Sequence, residues 1–134
     1  MKKIIIYVMV GLSVLIVVPV AFFGLRILFD LSNPLRQPVE AIRENLLELT
    51  PIGTSIYGVV LAIEENEDWE WDGRIASFGF PADGTFRTFI GEQSISFGIG
   101  GYTNIFRTGV VVWWSFDENS KLLDIHVQKN IFGW

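Results

Sequence analysis

Residues 107–129 read RTGVVVWWSF, DENS, KLLDIHVQK, and this stretch decides the fold. Val, Trp and Phe dominate the first block, and such residues favour strands. Asp117-Glu118-Asn119-Ser120 is a turn cluster. The pattern predicts a β-hairpin with strands over 107–116 and 121–129. A four-residue loop sets Phe116 opposite Lys121. Trp114 then meets Leu123, Val112 meets Ile125 and Val110 meets Val127, and these six residues form the buried face. Val111, Trp113, Asp124, His126 and Gln128 take the other face, with Leu122 beside them. Asn119 is the residue that tolerates the left-handed backbone such loops need. A one-residue slip would invert both faces, but the alternation over 123–128 supports this register.

Upstream, 94–99 alternates, with Ile95, Phe97 and Ile99 on one side. The Gly98-Ile99-Gly100-Gly101 run lies among strands and reads as a bend or bulge. A phosphate loop would need a helix N-terminus after it. Short strands are expected over 74–80 and 85–90, separated by a Pro81-Ala82-Asp83-Gly84 turn. Before them the period changes. Val39, Ile42, Leu46 and Leu47 recur at helical spacing, with Pro38 in the first turn and Glu40, Arg43 and Glu44 facing away. This helix runs to about Glu48 and is stopped by Thr50-Pro51-Ile52-Gly53. A second helix is capped by Thr54 or Ser55, buries Ile56, Val59, Val60 and Ile63, and ends near Glu65. The fold class is α+β: a two-helix hairpin packed on an antiparallel sheet of about three or more strands.

At the N-terminus, Lys2-Lys3 precede residues 4–25, which carry no charge. A helix of about 20 apolar residues crosses a bilayer core. The stretch is longer than the apolar core of a cleaved signal, and Pro19 or Phe22 would occupy position −3 of the nearest cuts. It reads as an uncleaved signal-anchor. Lys2 and Lys3 precede the span and Arg26 follows it, so the N-terminus is expected in the cytoplasm and the remainder outside. The expected organisation is a transmembrane helix over 1–29, a linker over 30–37 and a small extracytoplasmic domain over 38–134.

From residue 27 onward there are fifteen acids and seven bases, a net charge of −8. That opposes nucleic acid or anionic lipid as a main partner. The chain has no cysteine, which excludes disulfides, thiolate metal sites and thiol nucleophiles. No cofactor is expected.

The order of an apolar segment, two short helices and about three strands resembles the ααβββ domain of the small lipoprotein of the outer-membrane β-barrel assembly machinery, and of β-lactamase-inhibitor-like repeats. Thr50-Pro51-Ile52-Gly53-Thr54-Ser55 stands where that family has a Gly-containing turn and a cap. Residues 114–127 resemble its final hairpin. The family's lipid-bearing Cys has no counterpart here, and an apolar span stands in its place. The resemblance implies a non-enzymatic, protein-binding scaffold.

Three groups of residues are candidate sites. Residues 64–72 read Glu-Glu-Asn-Glu-Asp-Trp-Glu-Trp-Asp. Glu67, Asp68, Glu70 and Asp72 form an acidic lip, with Trp69 and Trp71 as partner anchors, since Trp is enriched at binding hot spots. A calcium loop starting at Asp68 fails at position nine, Ala76, and at position twelve, Gly79, where a bidentate Glu is required. Asp124 and His126 share a strand face, and a carboxylate can orient an imidazole. Nucleophilic catalysis would also need Ser94, Ser96 or Ser115 to converge on them. Trp113 and Val111 on the same face are either an exposed partner contact, or are covered by the loop 69–93 or by the tail 131–134.

These readings converge on a membrane-anchored binding or scaffold protein whose partner is another envelope protein. The alternatives are an inhibitor or immunity-type protein that binds a basic partner, and a small enzyme or ligand-binding domain using Asp124 and His126.

Overall fold

In a computed structural model that describes residues 1–132, the chain forms two units, Met1–Asn33 and Pro34–Trp134. The first is one helix, α1 (Lys2–Leu31), with Pro19 inside it. Residues Lys2–Leu28 are long and apolar enough to cross a membrane, and none of that segment is buried in protein.

The second unit is α+β. It opens with a 3-10 turn (Pro34–Arg36), then α2 (Val39–Leu49) and α3 (Ile56–Glu65). Two short strands follow, β1 (Phe80–Pro81) and β2 (Phe89–Ile90), then three long ones, β3 (Gln93–Thr103), β4 (Arg107–Phe116) and β5 (Leu122–Phe132). The long strands form an antiparallel sheet in sequence order, and β1 pairs with β2 separately.

Residues 34–37, expected as linker, are held on this unit. Arg36 donates to the Thr103 carbonyl, and its guanidinium lies 5.0 Å from the centre of the Tyr102 ring. Lys129 donates to the Gln37 carbonyl at 2.5 Å.

Pro38 directly precedes α2, and Ile42 and Leu46 form its buried stripe. Ser55 caps α3, its hydroxyl accepting the Gly58 N–H at 3.2 Å. Ile56, Val59 and Ile63 are buried, as the spacing predicts, while Val60 is partly so. Helix α2 lies along β5. The α2–α3 turn is stitched to the start of β5 by Gly53 N–H to Leu122 O and Leu122 N–H to Thr54 O, both 2.8 Å.

The core fills the space between the helices and one sheet face. Ile95, Trp114 and Ile125 lie in one row across it, and Phe97, Val112 and Val127 in the next. Trp114 is fully enclosed and stacks on Phe97 with ring centres 5.5 Å apart. Its indole N–H donates to Thr50 Oγ1 at 3.2 Å, and the Thr50 hydroxyl donates to the Leu46 carbonyl at 3.0 Å. The buried indole N–H and the Thr50 hydroxyl are thereby paired, as such burial requires.

The register of the β4–β5 hairpin differs from the sequence expectation. Trp114 pairs with Ile125 and Val112 with Val127, and a bulge at Ser115–Phe116 sets Phe116 opposite Leu122. The shift is two residues, so Val110, Val112, Trp114, Ile125 and Val127 keep the buried face. The bulge inverts the strand start instead: Leu122 is buried and Leu123 exposed. The turn explains this. Asp117 Oδ1 accepts the N–H of both Asn119 and Lys121, and Ser120 rather than Asn119 takes the left-handed conformation, at φ 58°. A turn closed by one left-handed residue leads into a bulge, not a flat four-residue loop.

Strand β3 runs through the glycine run, with a second bulge between Gly98 and Gly100. A Cβ at Gly100 would meet Leu35 at 2.9 Å, so the 3-10 turn packs against bare backbone there. The strands expected over 74–80 and 85–90 shrink to β1 and β2, plus one bridge between Ala76 and Ser94.

Candidate functional site

The segment after α3 passes from one face of the sheet to the other; it carries the acidic candidates and covers Trp113 and His126, which β4 and β5 position. Trp69 is on the core side, 6.0 Å from both Phe97 and Trp114 between ring centres. The chain crosses the edge of β3 at Ala76, which exchanges two backbone hydrogen bonds with Ser94. On the far face, Phe80 of β1 covers the sheet. Its ring stacks on His126 at 3.9 Å with an 8° angle between planes, and meets Trp113 edge-on at 5.8 Å. Of the two covers considered for that face, the loop 69–93 supplies one. The tail reading lies partly outside the described residues, because 133 and 134 are not among them.

Asp124 and His126 share the outer face, and Asp124 Oδ2 lies 4.0 Å from His126 Nε2. Each is already engaged. Arg43 of α2, expected to face away, reaches the edge of β5, where its guanidinium binds Asp124 Oδ1 and its Nε donates to the Ile125 carbonyl at 3.0 Å. Burial acts to raise the Asp124 carboxyl, but hydrogen bonds from Arg43 and the Ile125 N–H outweigh it and hold the group below the ordinary carboxylate value. The His126 side chain is only 19% exposed, and its Nε2 is buried with no hydrogen-bond partner among the described residues. Burial pushes its basicity below the ordinary imidazole value and Arg43 adds to that, while Asp124 opposes them. Of the serines considered for convergence, Ser94 donates to the Phe78 carbonyl at 2.7 Å and Ser115 is fully enclosed.

A pH dependence follows. The unfolded chain takes up a proton at His126 near pH 6.5, while the folded chain resists it until a lower pH. This contribution to stability is complete above about pH 6.5 and is lost as the pH falls through the window below it. His126→Gln is expected to flatten the fall in melting temperature between about pH 7 and pH 5. An equally steep fall in the variant, followed by circular dichroism, would contradict this. Asp124 contributes in the same direction, but below about pH 4.

The acidic segment has two sides. Glu67, Asp68, Glu70 and Asp72 are exposed. Asp72 accepts from Arg74, first through the backbone N–H and then through its guanidinium, which lowers its carboxyl from the ordinary value. Trp69 and Trp71 are both partly buried against the core; Trp69 meets Phe97 and Trp114, and Trp71 donates its indole N–H to the Arg74 carbonyl at 3.3 Å. Trp71, Ile75, Tyr57, Val60 and Glu64 line an open cleft of about 460 Å³. Tyr57, 78% exposed, stands at its rim and was not singled out in the sequence. Its signal was its place in α3, where Tyr57, Val60 and Glu64 recur at i, i+3 and i+7 on a face that flanks the buried stripe. Among the described residues, no three His, Cys, Asp or Glu side chains gather as a cation site.

In comparison with known proteins, no family model, no curated protein and no solved structure matches the chain.

Proposed function

We propose that this is a membrane-anchored binding or scaffold protein that holds its α+β unit outside the cytoplasm and recruits another envelope protein by contact rather than chemistry. The cleft between α3 and the Trp71–Ile75 segment carries this reading. Trp71, Val60 and Ile75 make its wall apolar and Glu64 lines it, while Glu67, Asp68, Glu70 and Asp72 flank Trp71 in sequence, Asp72 being paired with Arg74. That chemistry suits a partner segment with an apolar anchor flanked by Lys or Arg. The engagement of Asp124 by Arg43 and of His126 by Phe80 favours binding over catalysis at that face. An N-terminal helix of spanning length supports the anchor, and the order of two helices before three strands is the one scaffold domains of the resembling family use.

The test is a photo-reactive residue at Tyr57 in the full chain, in intact cells. An adduct with an envelope protein is expected, and Trp71→Ala should remove it, since hot-spot tryptophans contribute about 2 kcal/mol or more, roughly thirty-fold in Kd. No adduct, or one indifferent to Trp71→Ala, overturns this surface. External protease that fails to reach the α+β unit overturns the orientation.

A further inference from the structure

The charges of the α+β unit are polarised along its sheet. Glu92, Asp117 and Glu118 gather at the β4–β5 turn, against one base there, Lys121. The other end is built from residues 33–39, 98–111 and 125–132, and these three segments contain Arg36, Arg107 and Lys129 and no acid. Arg107 pairs with Thr103 on one side and with Phe132 on the other, so this end is where the β3–β4 loop turns. Arg36 and Lys129 flank the Tyr102 ring at 5.0 and 5.1 Å. Strand β4 separates the two ends by about 30 Å, several screening lengths, so the turn acids do not cancel the basic end; of the acids that border its segments, Asp124 is paired with Arg43 and Glu40 lies on α2.

The same end is apolar at its tip. Ile105 is 84% exposed, Phe106 49% and Ile131 68%. Beside Arg107, the bare backbone of Gly98, Gly100, Gly101 and Gly109 leaves an open cleft of about 460 Å³ on the outer face, room for a phosphate group. The turn Pro34–Arg36 docks at this end. Five residues lie between Leu28, where the spanning segment closes, and Pro34, so six steps of chain keep Pro34 within about 20 Å of it.

We infer that this end of the sheet is a second membrane contact: Ile105 and Phe106 enter the interface of the bilayer that holds α1, and Arg107 meets lipid phosphate. Exposed apolar side chains among cations are what an interfacial contact uses. The surface is small and the unit carries a net charge of −8, so the contact depends on the tether to keep it near lipid. The inference rests on the reading of α1 as a span.

The chain has no cysteine, so single labels need no background removal. The full-length variants Ile105→Cys, Asn119→Cys and Val14→Cys each carry an environment-sensitive fluorophore. They are reconstituted in phosphatidylcholine–phosphatidylglycerol vesicles with and without spin-labelled lipid. Labels at 14 and 105 are expected to emit to the blue and lose intensity with spin-labelled lipid, while the label at 119 does neither. Adding Phe106→Ser and Arg107→Glu should restore the intensity at 105. Quenching at 14 without quenching at 105 overturns the second contact and leaves the span standing. A blue shift at 105 without lipid quenching means that protein covers this end, and also overturns it. Equal quenching at 119 removes the polarity and the proposal with it. Absence of quenching at 14 overturns the span and the inference together.

Discussion

Trp114→Ala is expected to remove a third or more of the stability of the α+β unit. Replacing a buried Trp by Ala costs about 3–5 kcal/mol, and a unit of this size has only about 5–15 to lose. Trp114 sits at the upper end because its contacts come from several elements: Phe97 on β3, Trp69 in the crossing segment and Thr50 after α2. Removing the indole opens a cavity among all three and leaves Thr50 Oγ1 without its donor. Thr50→Val separates the two contributions. It keeps the volume but strands the indole N–H in an apolar layer, at about 1–3 kcal/mol. Thermal unfolding of the full chain in micelles, followed at the β-sheet band, checks both. An unchanged transition in Trp114→Ala would mean that the sheet and helices do not share this core.

Gly79→Ala is expected to free the β1–β2 hairpin while leaving the three long strands intact. A Cβ at Gly79 would lie 2.0 Å from the Ile90 carbonyl oxygen and 2.4 Å from that of Gly91. Overpacking typically costs about 1–3 kcal/mol when side chains can yield, but backbone atoms at such distances cannot. The hairpin must separate, and Phe80 leaves His126. The imidazole then regains water and is expected to titrate near its ordinary value by NMR, while the Ala82 amide, bonded to Thr88 O at 2.9 Å, loses its exchange protection. A His126 titration that stays depressed would show that Phe80 is not what dries it.

Much of this architecture was legible from periodicity. Ile42 and Leu46, and Ile56, Val59 and Ile63, recur at helical spacing and are buried; Val110, Val112 and Trp114 alternate and share a face. A burial face is a local property of spacing, so it survives a two-residue change of register. What was not legible depended on single conformations or distant contacts. The Leu122–Leu123 exchange turns on Ser120 adopting a positive φ, a choice made by the Asp117 carboxylate network and not by residue type. The cover over Trp113 and His126 depends on where residues 76–80 cross the sheet edge, and neither Phe80 nor Gly79 advertises this in sequence. Arg43 read as solvent-facing because helical periodicity does not report the edge of a neighbouring strand. In the acidic segment, the two tryptophans were indistinguishable by spacing; both pack against the core, and Trp71 also lines the cleft.

The contacts at the two borders of the sheet have a consequence for crowding. Ala76 occupies the backbone of Ser94 on one border, while Arg43 takes the Ile125 carbonyl and the Gly53–Thr54 turn takes Leu122 on the other. Proteins confined to a surface meet one another far more often than the same number free in solution. Strands with open backbone groups would join across neighbours under those conditions, as exposed edges do. Here the backbone groups of Ser94, Leu122 and the Ile125 carbonyl are used internally, which takes those positions out of such pairing.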